Sequence, residues 1–298
     1  MRNFFLFLFF TAASSLIFSQ DFTFRDIHSI NNKAFKSLDS NGWKKSGTFI
    51  LNINQGALSN WAAGGEQSVF GINGMFNYIL NFRDNRNTWD NSIDLAMGFQ
   101  NATSFGKFRK IDDRIDLTSK YGYQITKKGY LGLLTNFNSQ AIAGYDYSVV
   151  PNAKISSFLT PGKIILSPGF DFKPNDRFTL YISPATFRWV IKNNQDFFNV
   201  SKFGVDSAKK VTNELGAYLT VKTKLPLSTW ATFSSRIDLF SNYKRNPENV
   251  DLLMNNRLTM KFSKVLATNI SLDLIYDDDI IKRLQVKEIL GVGLTVKL

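Results

Sequence analysis

The stretch WDNSIDLAMGF, residues 89–99, alternates between two kinds of side chain. Apolar side chains stand at odd positions, Trp89, Ile93, Leu95, Met97 and Phe99, and polar or small ones at even positions. Successive side chains of a β-strand point to opposite faces. The stretch therefore predicts a strand with one apolar and one polar face.

The same period of two recurs from residue 43 almost to the last residue. We recognise twelve segments, at 44–55, 66–82, 89–101, 112–126, 129–142, 161–172, 177–191, 212–225, 229–243, 251–263, 266–277 and 283–298. Short connections such as RDNRNT, KK, KPND, PLS and SK alternate with longer links at 56–65, 102–111, 143–160, 192–211, 244–250 and 278–282. This alternation predicts an all-β fold, a transmembrane antiparallel up-and-down β-barrel of about 12 strands, with short periplasmic turns and longer extracellular loops.

A soluble β-sandwich would also have strands of period two. However, the segments are about 12–15 residues long, against a usual five or six. Aromatic residues also lie near the turns on the apolar face, as membrane-interface girdles do: Phe82, Trp89, Tyr123, Phe172 and Phe178. Both features favour the membrane barrel.

Two irregularities interrupt the pattern. The apolar set changes face near Pro184, which predicts a β-bulge, since proline is hard to place inside a strand. Asn73-Gly74 is typical of a hairpin turn. The alternation nevertheless continues through it, so we predict one strand with a glycine kink.

The N-terminal stretch MRNFFLFLFFTAASSLIFSQ has the parts of a secretory signal peptide, which we expect at 1–19; a retained helical anchor is the alternative. Residues 20–43 have helical spacing and are expected in the periplasm as a short helix, a plug or a flexible leader. The barrel then occupies 44–298. We expect export to the outer membrane of a Gram-negative cell, and the absence of cysteine excludes a disulfide framework.

The chain has 36 basic and 24 acidic residues, a formal charge of +12. In an exported chain the expected partners are outer-membrane lipids, including lipopolysaccharide. The long links carry basic residues that can contact lipid phosphates or simply aid solubility: Lys107, Arg109, Lys110, Lys202, Lys209, Lys210, Lys244 and Arg245. The sequence has no zinc-finger spacing, RNP motif or basic helix, so no nucleic-acid partner is expected.

The composition also limits the chemistry. The single histidine, His28, precedes the barrel, so a Ser-His triad in the barrel wall is excluded and we expect no enzyme. Phosphate-loop, dinucleotide and kinase motifs are absent, and no cofactor is expected. Asp277, Asp278 and Asp279 are weak candidates for a metal site. The alternative is an acidic turn, since their spacing matches no defined calcium loop.

The polar face supplies the candidate site. Its charged residues, expected to line the lumen, are Asp90, Asp94, Arg114, Asp116, Lys120, Lys222, Arg236, Asp238, Arg257, Lys261 and Asp273. Such charges either pair across a narrow interior or line a water-filled pore. Two functions follow: a narrow pore for small polar solutes, or a non-transporting barrel that is an accessory or structural subunit of an outer-membrane complex. The latter would contact its envelope partner through residues 20–43 or the loops. A metal-assisted envelope hydrolase is third.

The stretch LSNWAAGGEQS, residues 58–68, joins the first two strands at the expected extracellular rim. Gly64 and Gly65 permit the backbone angles of a tight return. Trp61 and Glu66 are expected at the mouth. A structural corner is favoured over a ligand loop, since glycine pairs usually mark turns.

Spaced motifs along the mature chain carry a resemblance. They are SNWAAGGEQS (59–68), KIDDRIDLTSKYGY (110–123), NSQAIAGYDY (138–147), ISSFLTPG (155–162), YISPATFRW (181–189), ELGAYL (214–219), NYKRNPENVDLLMNN (242–256), LIYDDDI (274–280) and LQVKEILGVGL (284–294). In this order they resemble an uncharacterised outer-membrane β-barrel family of Bacteroidetes, a domain of unknown function. The resemblance implies an outer-membrane barrel in a Gram-negative bacterium. It supplies no catalytic residues.

Overall fold

The computed structural model describes residues 41–57, 68–175, 177–263, 266–279 and 281–297. The expected signal peptide and residues 20–40 of the N-terminal segment lie outside the described residues. So do the four predicted rim residues, Trp61, Gly64, Gly65 and Glu66.

Twelve long antiparallel strands close into one barrel in the described part of the chain. They are β1 (Gly42–Ala57), β2 (Ser68–Asp84), β3 (Asn87–Ala102), β4 (Arg109–Gln124), β5 (Gly129–Ser139), β8 (Gly162–Asn175), β9 (Phe178–Ile191), β10 (Val211–Pro226), β11 (Ala231–Asn242), β12 (Val250–Lys261), β13 (Leu266–Asp277) and β14 (Ile281–Lys297). Each corresponds to one predicted segment, so the predicted fold is confirmed.

Neighbouring barrel strands follow chain order, and pairing of β1 with β14 closes the ring. The short connections described at 85–86, 125–128, 177, 227–230 and 262–263 lie at one end of the barrel, the turn end. The described residues of the other connections, 103–108, 140–161, 192–210, 243–249 and 278–279, lie at the opposite end, the loop end.

The loop end contains structure that the period of two does not predict. Within 140–161, β6 (Gly144–Asp146) and β7 (Ala153–Ser156) form a small two-stranded sheet. Single 3-10 turns occur at Thr103–Phe105 and Gln195–Phe197. No helix in the described ranges is long and apolar enough to span a bilayer.

The alternation in β3 shows which face of the barrel is apolar. Trp89, Ile93 and Leu95 are 43%, 39% and 37% exposed on the outer face. Asp90 and Asp94 are only 2% and 7% exposed and face the interior. Apolar groups outside and charged groups inside reverse the arrangement of a soluble sandwich and match a barrel in lipid.

Aromatic side chains cluster on the outer face at the turn end. The ring centroid of Trp43 lies 5.0 Å from that of Phe82 and 5.8 Å from that of Trp89. Tyr121 and Tyr123 of the neighbouring β4 are also exposed. This grouping is the expected girdle, since amphipathic rings favour the membrane interface.

The bulge predicted at Pro184 is present. The ladder of β9 and β10 shifts there, because Pro184 and Ala185 together face the single residue Ala217. Buried positions on β9 are odd before the bulge, as at Tyr181, and even after it, as at Arg188. By contrast, β2 continues unbroken through Asn73-Gly74, as predicted.

The seam between β1 and β14 is the shortest ladder of the barrel. β1 pairs with β2 along all sixteen residues of Gly42–Ala57, but it pairs with β14 only from Thr48↔Lys297 to Asn52↔Gly293, five pairs. In the described ranges no ladder joins residues 53–57 to β14. In the described residues, the loop-end half of this seam therefore has no backbone pairing between β1 and β14.

Candidate functional site in the barrel interior

A chain of buried ion pairs lines one side of the interior near the turn end, along the wall from β2 to β8. Arg83 Nη2 of β2 lies 2.5 Å from Asp90 Oδ1 of β3. Lys173 Nζ of β8 lies 3.4 Å from Asp90 Oδ2 and 2.9 Å from Asp171 Oδ2. Lys120 Nζ of β4 lies 2.5 Å from Asp171 Oδ2. Because the charges alternate in sign, each buried ion has a partner.

A second group lies on β3–β5, farther from the turns. Arg114 Nη2 contacts Asp94 Oδ1 at 2.6 Å. Asp116 accepts hydrogen bonds from Thr118 Oγ1 at 3.1 Å, Asn136 Nδ2 at 2.9 Å and Asn138 Nδ2 at 3.1 Å. These bonds satisfy acceptor positions on both oxygens of the carboxylate.

A third group lies on β10 and β11. Arg236 Nε donates to Asp238 Oδ1 at 2.8 Å, and Arg236 Nη2 lies 2.6 Å from Asp238 Oδ2. The Tyr218 hydroxyl also donates to Asp238 Oδ1, at 3.1 Å. Arg236 Nη1, although buried, has no hydrogen-bond partner among the described residues.

Two cations of the inner wall have no partner among the residues that the structure describes. Lys222 stands directly opposite Arg236 in the ladder, and Arg257 follows on β12, opposite Ser234. Across the described ranges neither Lys222 nor Arg257 has a hydrogen bond or ion pair. The Thr220 hydroxyl, two residues before Lys222, is buried and also lacks a partner there.

At the loop end, ion pairs reach across the barrel. Arg188 of β9 pairs with Glu214 of the adjacent β10, and its Nη1 lies 2.8 Å from Asp251 Oδ2 of β12. Lys163 Nζ of β8 lies 3.6 Å from Asp277 Oδ2 of β13. Around the ring, four strands separate β8 from β13 on one side and six on the other. This pair therefore joins nearly opposite walls and narrows the interior.

The long loops are joined above this constriction. Lys202 Nζ donates to the Ile155 carbonyl at 3.1 Å, and Lys154 Nζ lies 2.8 Å from Asp196 Oδ2. Both contacts tie the link 192–210 to the link 140–161. Polar contacts between loops thus cover part of the loop end.

The structure places most of the predicted lumen charges on the buried inner face: Asp90, Asp94, Arg114, Asp116, Lys120, Arg236 and Asp238. Lys222, Arg257 and Asp273 are half-buried, and Lys261 is exposed at the last position of β12. Asp273 accepts a hydrogen bond from Asn255 Nδ2 at 2.7 Å.

Sequence reasoning missed several members of these networks: Arg83, Lys163, Asp171, Lys173, Arg188, Glu214 and Asp251. Most share the phase of predicted inner positions, which could have identified them. Arg188 is hidden by the change of phase at Pro184. Lys110 is not the loop cation that we expected: it belongs to β4, is buried, and its Nζ lies 2.9 Å from Asp113 Oδ2.

The weak metal candidates separate in the structure. Carboxylate oxygens of Asp277, Asp278 and Asp251 lie within 4.8 Å of one another. However, Asp277 already faces Lys163 and Asp251 already faces Arg188, and these cations neutralise the charge that a metal would need. Asp279 is outside the cluster. Partial burial raises the pKa of this carboxyl above its usual value.

Solved structures similar to this chain are themselves β-barrels of outer membranes. The translocator domain of the autotransporter NalP from Neisseria meningitidis is 13% identical, with 87% of this chain and 90% of that chain covered and a TM-score of 0.38. An outer membrane channel from Pseudomonas putida F1 is 10% identical, with 90% and 98% covered and a TM-score of 0.43. Outer membrane phospholipase A from Escherichia coli is 11% identical, with 84% and 89% covered and a TM-score of 0.40.

These likenesses assign no activity to the chain. No curated protein matches it. Residues 53–145, from the second half of β1 into β6, match the sequence model of a family described as protein of unknown function, DUF3078.

Proposed function

We propose that the protein is a barrel of the outer membrane of a Gram-negative bacterium and forms a narrow pore for small polar solutes. The turn end then faces the periplasm and the loop end faces outward. The predicted lumen charges line the pore.

One observation supports this proposal: on the inner wall, Lys222 and Arg257 pair with none of the described residues. A filled interior held only by ion pairs would leave no cation without a partner, because an uncompensated buried charge is costly. Two unpaired cations therefore favour water in the turn-end half. The pairs of Arg188 and Lys163 at the loop end would restrict passage to small solutes.

Conductance in a planar bilayer tests the pore. Lys163 and Asp277 are replaced together by alanine, so that neither charge is left buried without its partner. We expect small wild-type currents and a conductance several-fold larger in the double variant. Replacing the exposed loop pair Lys154 and Asp196 by alanine is the matched control and should leave the current unchanged. Absence of current in both wild type and the Lys163/Asp277 variant would show that the pore is wrong.

A second candidate is a non-transporting barrel that serves as subunit of an envelope complex. Exposed apolar side chains in the loops favour it: Val150 is 96%, Phe108 53% and Phe158 51% exposed. Copurification from native membranes, with wild type and with Val150→Ser, Phe108→Ser and Phe158→Ser combined, tests it. A stoichiometric partner lost from the variant supports the subunit. Deletion of residues 20–42 tests the N-terminal segment in the same way.

A further inference from the structure

Three polar groups that have no partner in the described part of the chain lie together on the inner wall of β10 and β11. Lys222 Nζ and Arg236 Nη1 belong to residues directly opposite each other in the ladder. The Thr220 hydroxyl is one inward-facing position along β10 from Lys222. All three can donate hydrogen bonds, and two carry positive charge.

The nearby carboxylates do not satisfy these donors. Asp238 lies close to Lys222, but Arg236 and the Tyr218 hydroxyl already occupy it. Asp171, on β8 and separated from β10 by one strand, binds Lys120 and Lys173. Unsatisfied donors in a confined interior cost free energy, so an acceptor from outside the chain would stabilise this arrangement.

Two further features define the acceptor. Arg257 adds a third cation on the adjacent β12. Asn255, opposite Arg236 on the same strand, has a buried Oδ1 without a partner in the described ranges. A ligand with several negatively charged oxygens and one hydroxyl suits this set, because it accepts from the cations and donates to the amide oxygen.

We propose that the inner wall of β10–β12 is a binding site for a small oxyanion of the phosphate type, held by Thr220, Lys222 and Arg236 with Arg257 beside them. The paired strands β10, β11 and β12 form a continuous wall between these residues and the bilayer. The ligand therefore comes from solution and not from the bilayer. The ion pairs of Lys163 and Arg188 restrict the loop end, so the ligand enters from the turn end. A preference of the current for anions would rest on the proposed pore. Binding of the oxyanion does not depend on the pore.

The test is titration of the full chain, folded in detergent in a chloride buffer, with inorganic phosphate. Isothermal titration calorimetry gives the affinity and thermal unfolding gives the stabilisation. We expect saturable binding that raises the unfolding temperature of the wild type. In Lys222→Gln the dissociation constant should rise about tenfold or more, the effect of losing one charge-assisted hydrogen bond. The exposed loop lysine Lys209, replaced by glutamine, is the control and should bind as the wild type does.

Lys222→Gln should fold, because it removes an unpaired charge, and Arg257→Gln provides a second variant. Wild type without phosphate binding, or Lys222→Gln with wild-type affinity, would overturn the site. Bilayer current measured on the same preparations separates the two proposals. Phosphate binding without current leaves the site standing and the pore wrong, whereas current without phosphate binding leaves the pore standing and the site wrong.

Discussion

Individual charged residues in the interior differ in what their removal should cost. Arg188 holds two buried carboxylates, Glu214 and Asp251. Arg245 is exposed, and its Nη2 lies 3.3 Å from Asp279 Oδ1 at the loop end. Burial decides the difference, because a stranded charge in the interior cannot be solvated.

Arg188→Ala should therefore lower the free energy of unfolding by about 3–5 kcal/mol, the usual cost of breaking a buried ion pair. Urea unfolding followed by circular dichroism measures this. Arg245→Ala is the matched control, with an expected loss below about 1 kcal/mol. Equal losses in the two variants would contradict a buried network.

Two strand glycines give a second residue-level prediction. A Cβ on Gly216, beside the bulge, would meet the Ser241 carbonyl oxygen and the Phe240 ring, whose Cζ lies 2.7 Å away. A Cβ on Gly74 would meet nothing closer than 4.0 Å. Gly216→Ala should cost about 1–3 kcal/mol from overpacking, and Gly74→Ala should be close to neutral. Thermal unfolding of both variants compares them, and a neutral Gly216→Ala would be inconsistent with this packing.

At the scale of the element, the seam between β1 and β14 permits a cross-linking prediction. The chain has no cysteine, so introduced pairs report without background. Ile50 and Thr295 face each other in the ladder. Continuing that register would place Asn54 opposite Gly291, where no pairing is seen.

Ile50→Cys with Thr295→Cys should form a disulfide under mild oxidation, because directly opposed strand residues approach the required Cβ separation. Asn54→Cys with Gly291→Cys should remain reduced. Mass spectrometry of the folded protein distinguishes the two. Equal cross-linking of both cysteine pairs would show that β1 and β14 are paired along the whole seam, and would contradict the short ladder.

The strands themselves were predictable, and their contacts were not. Alternation fixes which face of a strand is apolar, and it located all twelve barrel strands and the bulge at Pro184. It carries no information on distant pairing, so the contact of Lys163 with Asp277 could not be read from the sequence. The hairpin of β6 and β7 was missed because strands of three and four residues are too short to show a period.

For the whole molecule, ion pairs fall into two classes that salt should distinguish. Those in the interior, such as Lys120 with Asp171, are almost fully buried, whereas Lys154 with Asp196 in the loops is exposed. Mobile ions screen exposed charges strongly and buried ones little.

Raising sodium chloride from about 0.05 to about 1 M, which shortens the screening length several-fold, should leave urea unfolding of the barrel nearly unchanged. The same change should accelerate tryptic cleavage after Lys154 and Lys202, because it weakens the contact between their loops. Cleavage of the denatured chain at both salt concentrations controls for protease activity. A large salt effect on barrel unfolding would mean that the interior pairs are solvated.

The candidate site was only partly predictable at this scale. Lys222, Arg236 and Arg257 were identified as inner-wall charges from their phase alone. Their significance depends on which neighbours remain unpaired, and that follows from the register of β10, β11 and β12 and from bonds such as that between Tyr218 and Asp238.

The brevity of the β1–β14 ladder also bears on how the molecule assembles. Every other barrel ladder joins two barrel strands that follow one another along the chain. Those strand pairs can therefore form early, from local contacts. The seam alone joins the two ends of the barrel sequence, and loop-closure entropy opposes it most. We therefore expect ring closure to be the slow final step of folding, and until then the edges of β1 and β14 remain available to whatever inserts the chain into the membrane.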